Sequence, residues 1–184
     1  DVGTGWFHHD AFLYYLMGDY TVHLFDVEDK ARIEFIKNYL GNLLARTADI
    51  SAELELDEAA CRSKLEKLLS METREEIYDE CNFRLCIEPS PDHPFLPPGS
   101  VDFMASNCVL SHIPIGILEA ELRALRDMLS EEGCMYFLIG HDDHWAFHDR
   151  SANQFNYYRY SDTLYRRFFE SFEYHNRLVK QEWL

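Results

Sequence analysis

The chain has 184 residues, 47% of them hydrophobic, and 33 acidic against 17 basic side chains give a formal net charge of −16. That apolar content supports a real core, and the length fits one domain spanning residues 1–184. A surface this acidic repels phosphate backbones and anionic lipid, which disfavours nucleic acid and membranes as partners. The five cysteines, Cys61, Cys81, Cys86, Cys108 and Cys134, are odd in number and form no C-x-x-C pair. Free thiols of this kind act as small hydrophobes and suit a reducing cytosol, so a cytoplasmic location is expected. No run approaches the roughly 18 apolar residues of a membrane span.

The chain opens on Asp1-Val2-Gly3-Thr4-Gly5-Trp6, an acid with two closely spaced glycines that let the backbone approach a ligand and take positive φ. Asp10 to Met17 predicts a short helix stopped by Gly18. Thr21 to Phe25 predicts a strand, closed by Asp26. From Lys30 to Ala45, Ile33, Ile36, Leu40, Leu43 and Leu44 recur at helical spacing and predict a helix with one buried face. Asp57 to Leu69 and Thr73 to Glu80 predict further helices, part of a helical elaboration at about 51–80 whose charges form a solvated face.

Asn82 to Glu88 predicts the next strand, after which Pro89, Pro91, Pro94, Pro97, Pro98 and Gly99 forbid regular structure. Val101 to Val109 returns to a strand. Leu118, Leu122, Leu125 and Leu129 mark a helix expected to end at Glu131-Glu132-Gly133. Cys134 to Ile139 is nearly continuous apolar sequence, the pattern of a strand covered on both faces. A polar segment, His141 to Tyr160, follows, and then a last helix with Ser161 as N-cap, running toward His175. Strands alternating with helices imply an α/β fold with a parallel sheet.

An acid about 20 residues beyond a glycine loop, at the tip of the next strand, can accept bonds from both hydroxyls of a ribose. Gly3, Gly5 and Asp26 therefore read as a nucleotide-type cofactor site. The plainer reading is a tight turn and a strand-end acid that caps the following helix. A nicotinamide-dependent dehydrogenase would want glycine three after the second one, and that position is His8.

Four stretches, Asp1-Val2-Gly3-Thr4-Gly5-Trp6, Leu24-Phe25-Asp26, Leu96-Pro97-Pro98-Gly99-Ser100-Val101-Asp102-Phe103 and Ser106-Asn107-Cys108-Val109-Leu110-Ser111-His112-Ile113-Pro114, resemble class I S-adenosylmethionine-dependent methyltransferases. The resemblance implies a Rossmann-like, doubly wound, mostly parallel sheet in three layers. It places strands near 21–26, 82–88, 101–107 and 134–140 in the order third, second, (first), fourth, fifth. The first strand and the closing C-terminal strand pair would be largely missing, as in a fragment. It further implies S-adenosyl-L-methionine as cofactor and methyl transfer to an oxygen or nitrogen of a small-molecule or glycan-type acceptor. A catalytically silent, protein-binding version of the same domain is the alternative.

On that resemblance, Gly3 and Gly5 pass beneath the methionine end of the donor and Asp1 reaches its amino group. Asp26 holds the ribose, Asp92 the adenine amine, and Asn107 and Cys108 lie beside the donor at a strand tip. Two departures stand out: the family's third glycine is Phe7, and the acid of its usual "vleH" segment is Ser111. His112 lies one turn beyond Cys108.

After the fifth strand, His141-Asp142-Asp143-His144 and His148-Asp149 fall on the edge where open sheets place their ligands. His144 or His112, with Asp143, is the candidate general base. His144 and His148 would share a face if helical, a spacing that also suits a metal, and the blandest reading is a polar loop pairing its own charges. Phe155, Tyr157, Tyr158 and Tyr160 with Arg159 either roof a substrate or belong to the core.

Overall fold

The computed structural model describes residues 1–88, 95–168 and 175–183. It divides the chain into two compact units, Asp1–Ser90 and Pro91–Leu184. Each contains a two-stranded parallel sheet with helices in the connection between its strands, so the α/β expectation holds. Among the described residues, no helix is long and apolar enough to cross a membrane.

In the first unit, α1 (His9–Met17) precedes β1 (Val22–Asp26). Four helices then carry the chain to β2 (Phe83–Ile87): α2 (Ile33–Ala45), α3 (Thr47–Glu53), α4 (Glu58–Ser70) and α5 (Arg74–Cys81). Parallel neighbours need a long crossover of this kind, because a tight hairpin can only reverse the chain. The strands pair from Val22 with Phe83 to Asp26 with Ile87. On the far side of β1, Val2 makes a parallel bridge to Phe25. The local order is therefore β2, β1 and then the stub at Val2, which matches the expected third, second, first.

Sequence signals for the helix starts are used as written. Asp57 accepts the N–H of Ala60 at 2.7 Å. Thr73 and Glu76 form a reciprocal capping box at the start of α5, satisfying donors that a helix leaves without intrahelical partners. The periodic residues of α2 meet those of α1, α4 and α5 in one core. Phe12, Leu24, Ile36, Leu40, Leu65, Leu68 and Ile77 are all fully buried there.

The second unit holds β3 (Val101–Asn107), α6 (Ile115–Met128) and β4 (Leu129–Leu138). A single 3-10 turn, Leu110–His112, links β3 toward α6. Two expectations are corrected here. The helix ends at Met128 rather than at Gly133, because the chain turns into the sheet at once. Leu129 pairs with Val101, and pairing then skips to Cys134 opposite Phe103. The extra residues bulge, and a Cβ on Gly133 would lie only 2.8 Å from the carbonyl oxygen of Val101. Glycine is needed there because the backbones approach that closely.

The second correction concerns cover. Tyr136 is 62% exposed and Leu138 47%, so β4 is not buried on both faces despite its continuous apolar sequence. Beyond β4 come a short helix α7 (Trp145–His148), a 3-10 turn over Asn156–Arg159, and α8 (Asp162–Phe168). Ser161 caps α8 as expected, its Oγ accepting the N–H of Leu164 at 3.4 Å. His175 is not part of that helix, and the residues from it to Val179 are irregular.

Replacing Gly133 by alanine forces a methyl group against the Val101 carbonyl and should cost about 1–3 kcal/mol. Urea unfolding of the two proteins measures this, and an unchanged midpoint would mean that the bulge adjusts freely.

Candidate functional site

Two clusters hold the residues singled out by sequence, one in each unit. In the first unit the glycine loop is fastened to the tip of β1. The N–H groups of Gly3 and Thr4 both donate to the carbonyl of Phe25, at 2.8 and 3.1 Å, and Phe25 N–H donates to the Asp1 carbonyl at 2.9 Å. Gly3 and Gly5 lie at φ 75° and 64°, a region that costs L-residues with a Cβ. A Cβ on Gly5 would meet only the Gly3 carbonyl, at 3.9 Å. At Gly5, conformation rather than crowding therefore demands glycine.

Asp26 is buried and closes the loop. Its Oδ2 accepts the N–H of Gly5 at 2.8 Å. Its Oδ1 accepts the N–H of Val27 at 2.8 Å and, more weakly, that of Glu28 at 3.4 Å. The juxtaposition of Gly3, Gly5 and Asp26 expected from sequence is thus present, with Asp1 partly buried beside it. Phe7 packs on Tyr39, ring centroids 4.9 Å apart. Trp6 stays half exposed, its ring edge-on to Phe35.

Directly beneath the loop lies a polar chain that the sequence did not announce. Thr4 Oγ1 is 2.7 Å from His8 Nδ1, and His8 Nε2 is hydrogen-bonded to the Tyr78 hydroxyl. Both hydroxyls can donate or accept, so either neutral tautomer of the ring is satisfied. His8 is fully buried, and burial holds its pKa at about 4. The same burial raises that of Tyr78. The position where a dehydrogenase would carry glycine is therefore a neutral core histidine in left-handed backbone, φ 53°.

In the second unit, Asn107 ends β3 and Cys108 follows at φ 58°. The Cys108 N–H donates to the Leu138 carbonyl at 2.7 Å, and burial raises the pKa of its thiol, making it a poor nucleophile. His112 closes the 3-10 turn after Cys108. His144 immediately precedes α7. These two candidates come together, ring centroids 5.2 Å apart. His148, the other half of the His144–His148 pair, is exposed and outside this cluster.

The third member is His175, which sequence reading placed at a helix end. It lies 4.4 Å, centroid to centroid, from both His112 and His144. Each of the three histidines offers a ring nitrogen, and these atoms all lie within 4.8 Å of one another. His175 is 5% exposed and packs face to face with Tyr157 at 5.8 Å.

The next two residues fix its position. The Asn176 N–H donates to the Ser111 carbonyl at 2.7 Å, and its side-chain amide donates to the carbonyls of Leu110 and Ile113 at 2.8 and 3.1 Å. Arg177 donates to the carbonyls of Tyr157 and Tyr160 at 2.9 and 3.0 Å, pairs with Asp162, and lies over the Tyr165 ring at 4.4 Å. The run His175-Asn176-Arg177 is the signal that sequence analysis passed over. It holds a ring donor, an amide suited to turn carbonyls and a multi-donor guanidinium in consecutive positions.

Asp143 anchors the loop that carries His144. Its Oδ1 accepts the Trp145 N–H at 2.9 Å and its Oδ2 accepts the Asn156 amide at 3.2 Å. The aromatic group splits: Tyr157 is buried and donates to the His141 carbonyl at 2.6 Å, whereas Phe155 is half exposed. Arg177, not Arg159, ties the Tyr157–Tyr160 turn down. Asp92 lies outside the described residues.

Compared with protein-family models, with curated proteins and with solved structures, the chain shows no match.

The His8 network predicts a pH dependence. An unfolded histidine titrates near 6.5, whereas His8 in the fold does so at about 4, so the unfolded chain takes up more protons between these values. The stabilisation from neutral His8 is present above pH 6.5 and is lost as pH falls toward 4. Between pH 7 and 5 the loss is about 2 kcal/mol, at 1.36 kcal/mol per pKa unit. His8→Asn, which tolerates left-handed backbone, should be less stable at pH 7 and show a correspondingly flatter dependence. Urea midpoints at the two pH values provide the comparison, and parallel slopes for the two proteins would contradict this account.

Proposed function

We propose that the chain is a methyltransferase-type domain, its two parallel sheets belonging to a Rossmann-like, three-layer arrangement. It would move the methyl group of S-adenosylmethionine to an oxygen or nitrogen of a small-molecule or glycan-type acceptor. One observation carries the reading. Two glycines at positive φ are bonded to the tip of a parallel strand whose last residue, Asp26, turns its carboxylate onto the loop. Backbone at positive φ without a Cβ allows a ligand to approach closely, and an acid at that strand tip is suited to ribose hydroxyls.

Methyl transfer is an in-line displacement at a sulfonium carbon, and it asks little covalent chemistry of the protein. Holding donor and nucleophile in attack geometry supplies up to roughly 7–11 kcal/mol. A hydroxyl acceptor also needs a base. His112 and His144 are the candidates, and Asp143 acts as a positioning residue by fixing the loop before α7.

A silent, partner-binding role is favoured by one specific feature. A carboxylate offers about four lone-pair sites, and three backbone N–H groups already address Asp26. On the donor reading, ribose takes the remaining site and competes with the weakest of the three, the Glu28 N–H at 3.4 Å. On the silent reading, the clamp is purely structural and donor does not bind.

Calorimetric titration with S-adenosylhomocysteine in the presence of a chelator separates the two. Saturable binding is expected, weakened about tenfold or more by Asp26→Ala. Tenfold corresponds to about 1.4 kcal/mol, within reach of a single bond to a charged acceptor at about 1.5–3 kcal/mol. No binding by the folded wild-type chain would establish the silent reading. Unchanged affinity in a folded Asp26→Ala protein would remove Asp26 from the site.

A further inference from the structure

The cluster of His112, His144 and His175 has a geometry that methyl transfer does not require. A base needs one imidazole, with a partner to orient it. Here three converge from three separate segments of the second unit: the turn after β3, the residue before α7, and the irregular segment that begins at His175. We propose that these three histidines bind a single divalent transition-metal ion, with Zn²⁺ the best fit, through one nitrogen each.

The ligand set matches the chemistry of that ion. Three neutral imidazoles and an open fourth position form one of the recurring tetrahedral Zn²⁺ arrangements, with Zn–N distances of about 2.0–2.1 Å. Tetrahedral angles then place the nitrogens about 3.4 Å apart. The observed nitrogens all lie within 4.8 Å of one another, so modest side-chain rotations bring them to the ion without backbone rearrangement. The set contains no carboxylate, which disfavours Mg²⁺ and Ca²⁺, ions that demand oxygen ligands.

The surroundings behave as support for such a centre. Metal-binding histidines are held in orientation by an outer layer of contacts. His175 packs against the buried face of Tyr157, whose hydroxyl is itself tied to the His141 carbonyl. Asn176, the residue beside His175, donates to three carbonyls of the turn that carries His112. Asp143 fixes the loop that carries His144. The backbone around each ligand is thus fixed by bonds of a neighbouring residue, Asn176 for the turn with His112 and for His175, and Asp143 for His144. The chain's net charge of −16 further favours accumulation of cations near its surface.

Metal occupancy changes what the histidines can do. An imidazole bound to Zn²⁺ no longer accepts a proton; the ion would instead lower the pKa of a coordinated water to about 7, and the bound hydroxide left after that proton passes to solvent could accept one. The binding claim itself needs neither donor nor acceptor, so it stands or falls separately from the methyl-transfer reading.

The test is titration of the chelator-stripped full chain with ZnCl₂ by calorimetry, and in parallel with Co²⁺ followed by visible absorption. The expected result is one equivalent of Zn²⁺ per chain and the d–d bands of tetrahedral Co²⁺. His144→Ala, His112→Ala and His175→Ala should each weaken Zn²⁺ binding on the order of a hundredfold or more, whereas His148→Ala and a Mg²⁺ titration should leave the signal unchanged. His112 and His144 are half-buried whereas His175 is buried, so their variants retain the fold even if His175→Ala does not. Near-UV circular dichroism checks each protein. Absence of a one-to-one Zn²⁺ signal, an octahedral Co²⁺ spectrum, or equal weakening by His144→Ala and His148→Ala would overturn the proposal.

Discussion

The first unit depends on the bond between the Asp26 carboxylate and the N–H of Gly5. A loop with two residues at positive φ has no regular hydrogen-bonding pattern of its own, so its backbone groups must find partners elsewhere. Phe25 and Asp26 supply them, one through its carbonyl and the other through its side chain. With the loop fixed, Thr4 is delivered to His8 and His8 to Tyr78 on α5. One buried chain of polar groups thereby joins the start of the sequence to a helix some 70 positions on. Such a network is stabilising only when every member is satisfied, and the burial that comes with it keeps His8 neutral.

Asn176 plays the corresponding part in the second unit. Three of its bonds reach the short turn between β3 and α6, and that turn carries His112. The same contact sets His175 against the same turn. Arg177 then holds the Tyr157–Tyr160 segment, which supplies the aromatic face behind His175. Three consecutive residues thus do separate jobs: one ring faces the cluster, one amide closes the turn and one guanidinium ties down the aromatic segment.

The two clusters differ in what they make available. The glycine loop sets backbone at positive φ beside an acidic strand tip, an arrangement suited to a polar ligand that donates hydrogen bonds. The histidine cluster gathers ring nitrogens around a common point, a shape suited to a transition-metal cation or to proton transfer. These are distinct chemistries with distinct probes, adenosyl compounds for one and transition metals for the other. That separation is why the donor and metal readings can be tested one at a time.

Local patterns carried much of the fold. The periodicity of Ile36, Leu40 and Leu43, the helix starts at Asp57 and Thr73, the stop at Gly18 and the strand expected over Thr21 to Phe25 each depend on residues within about one or two helical turns, and the structure has them within a residue of where the patterns place them, with Asp57 and Thr73 as caps and the strand at Val22–Asp26. The pairing of the glycine loop with Asp26 was legible for a related reason, since the short helix and strand between them leave little freedom in where Asp26 falls. Cover of a strand is not a local property, so the apolar run at Cys134–Leu138 misled about burial. The helix end at Met128 was set by pairing with Val101, a strand distant in sequence. The histidine cluster was beyond sequence reading for the same reason. His144 and His148 are near neighbours along the chain, but His112 and His175 join His144 through tertiary contacts, among them the bonds of Asn176 to the turn beside β3. Sequence determined the elements and the loop, and tertiary contacts alone decided which histidines share a site.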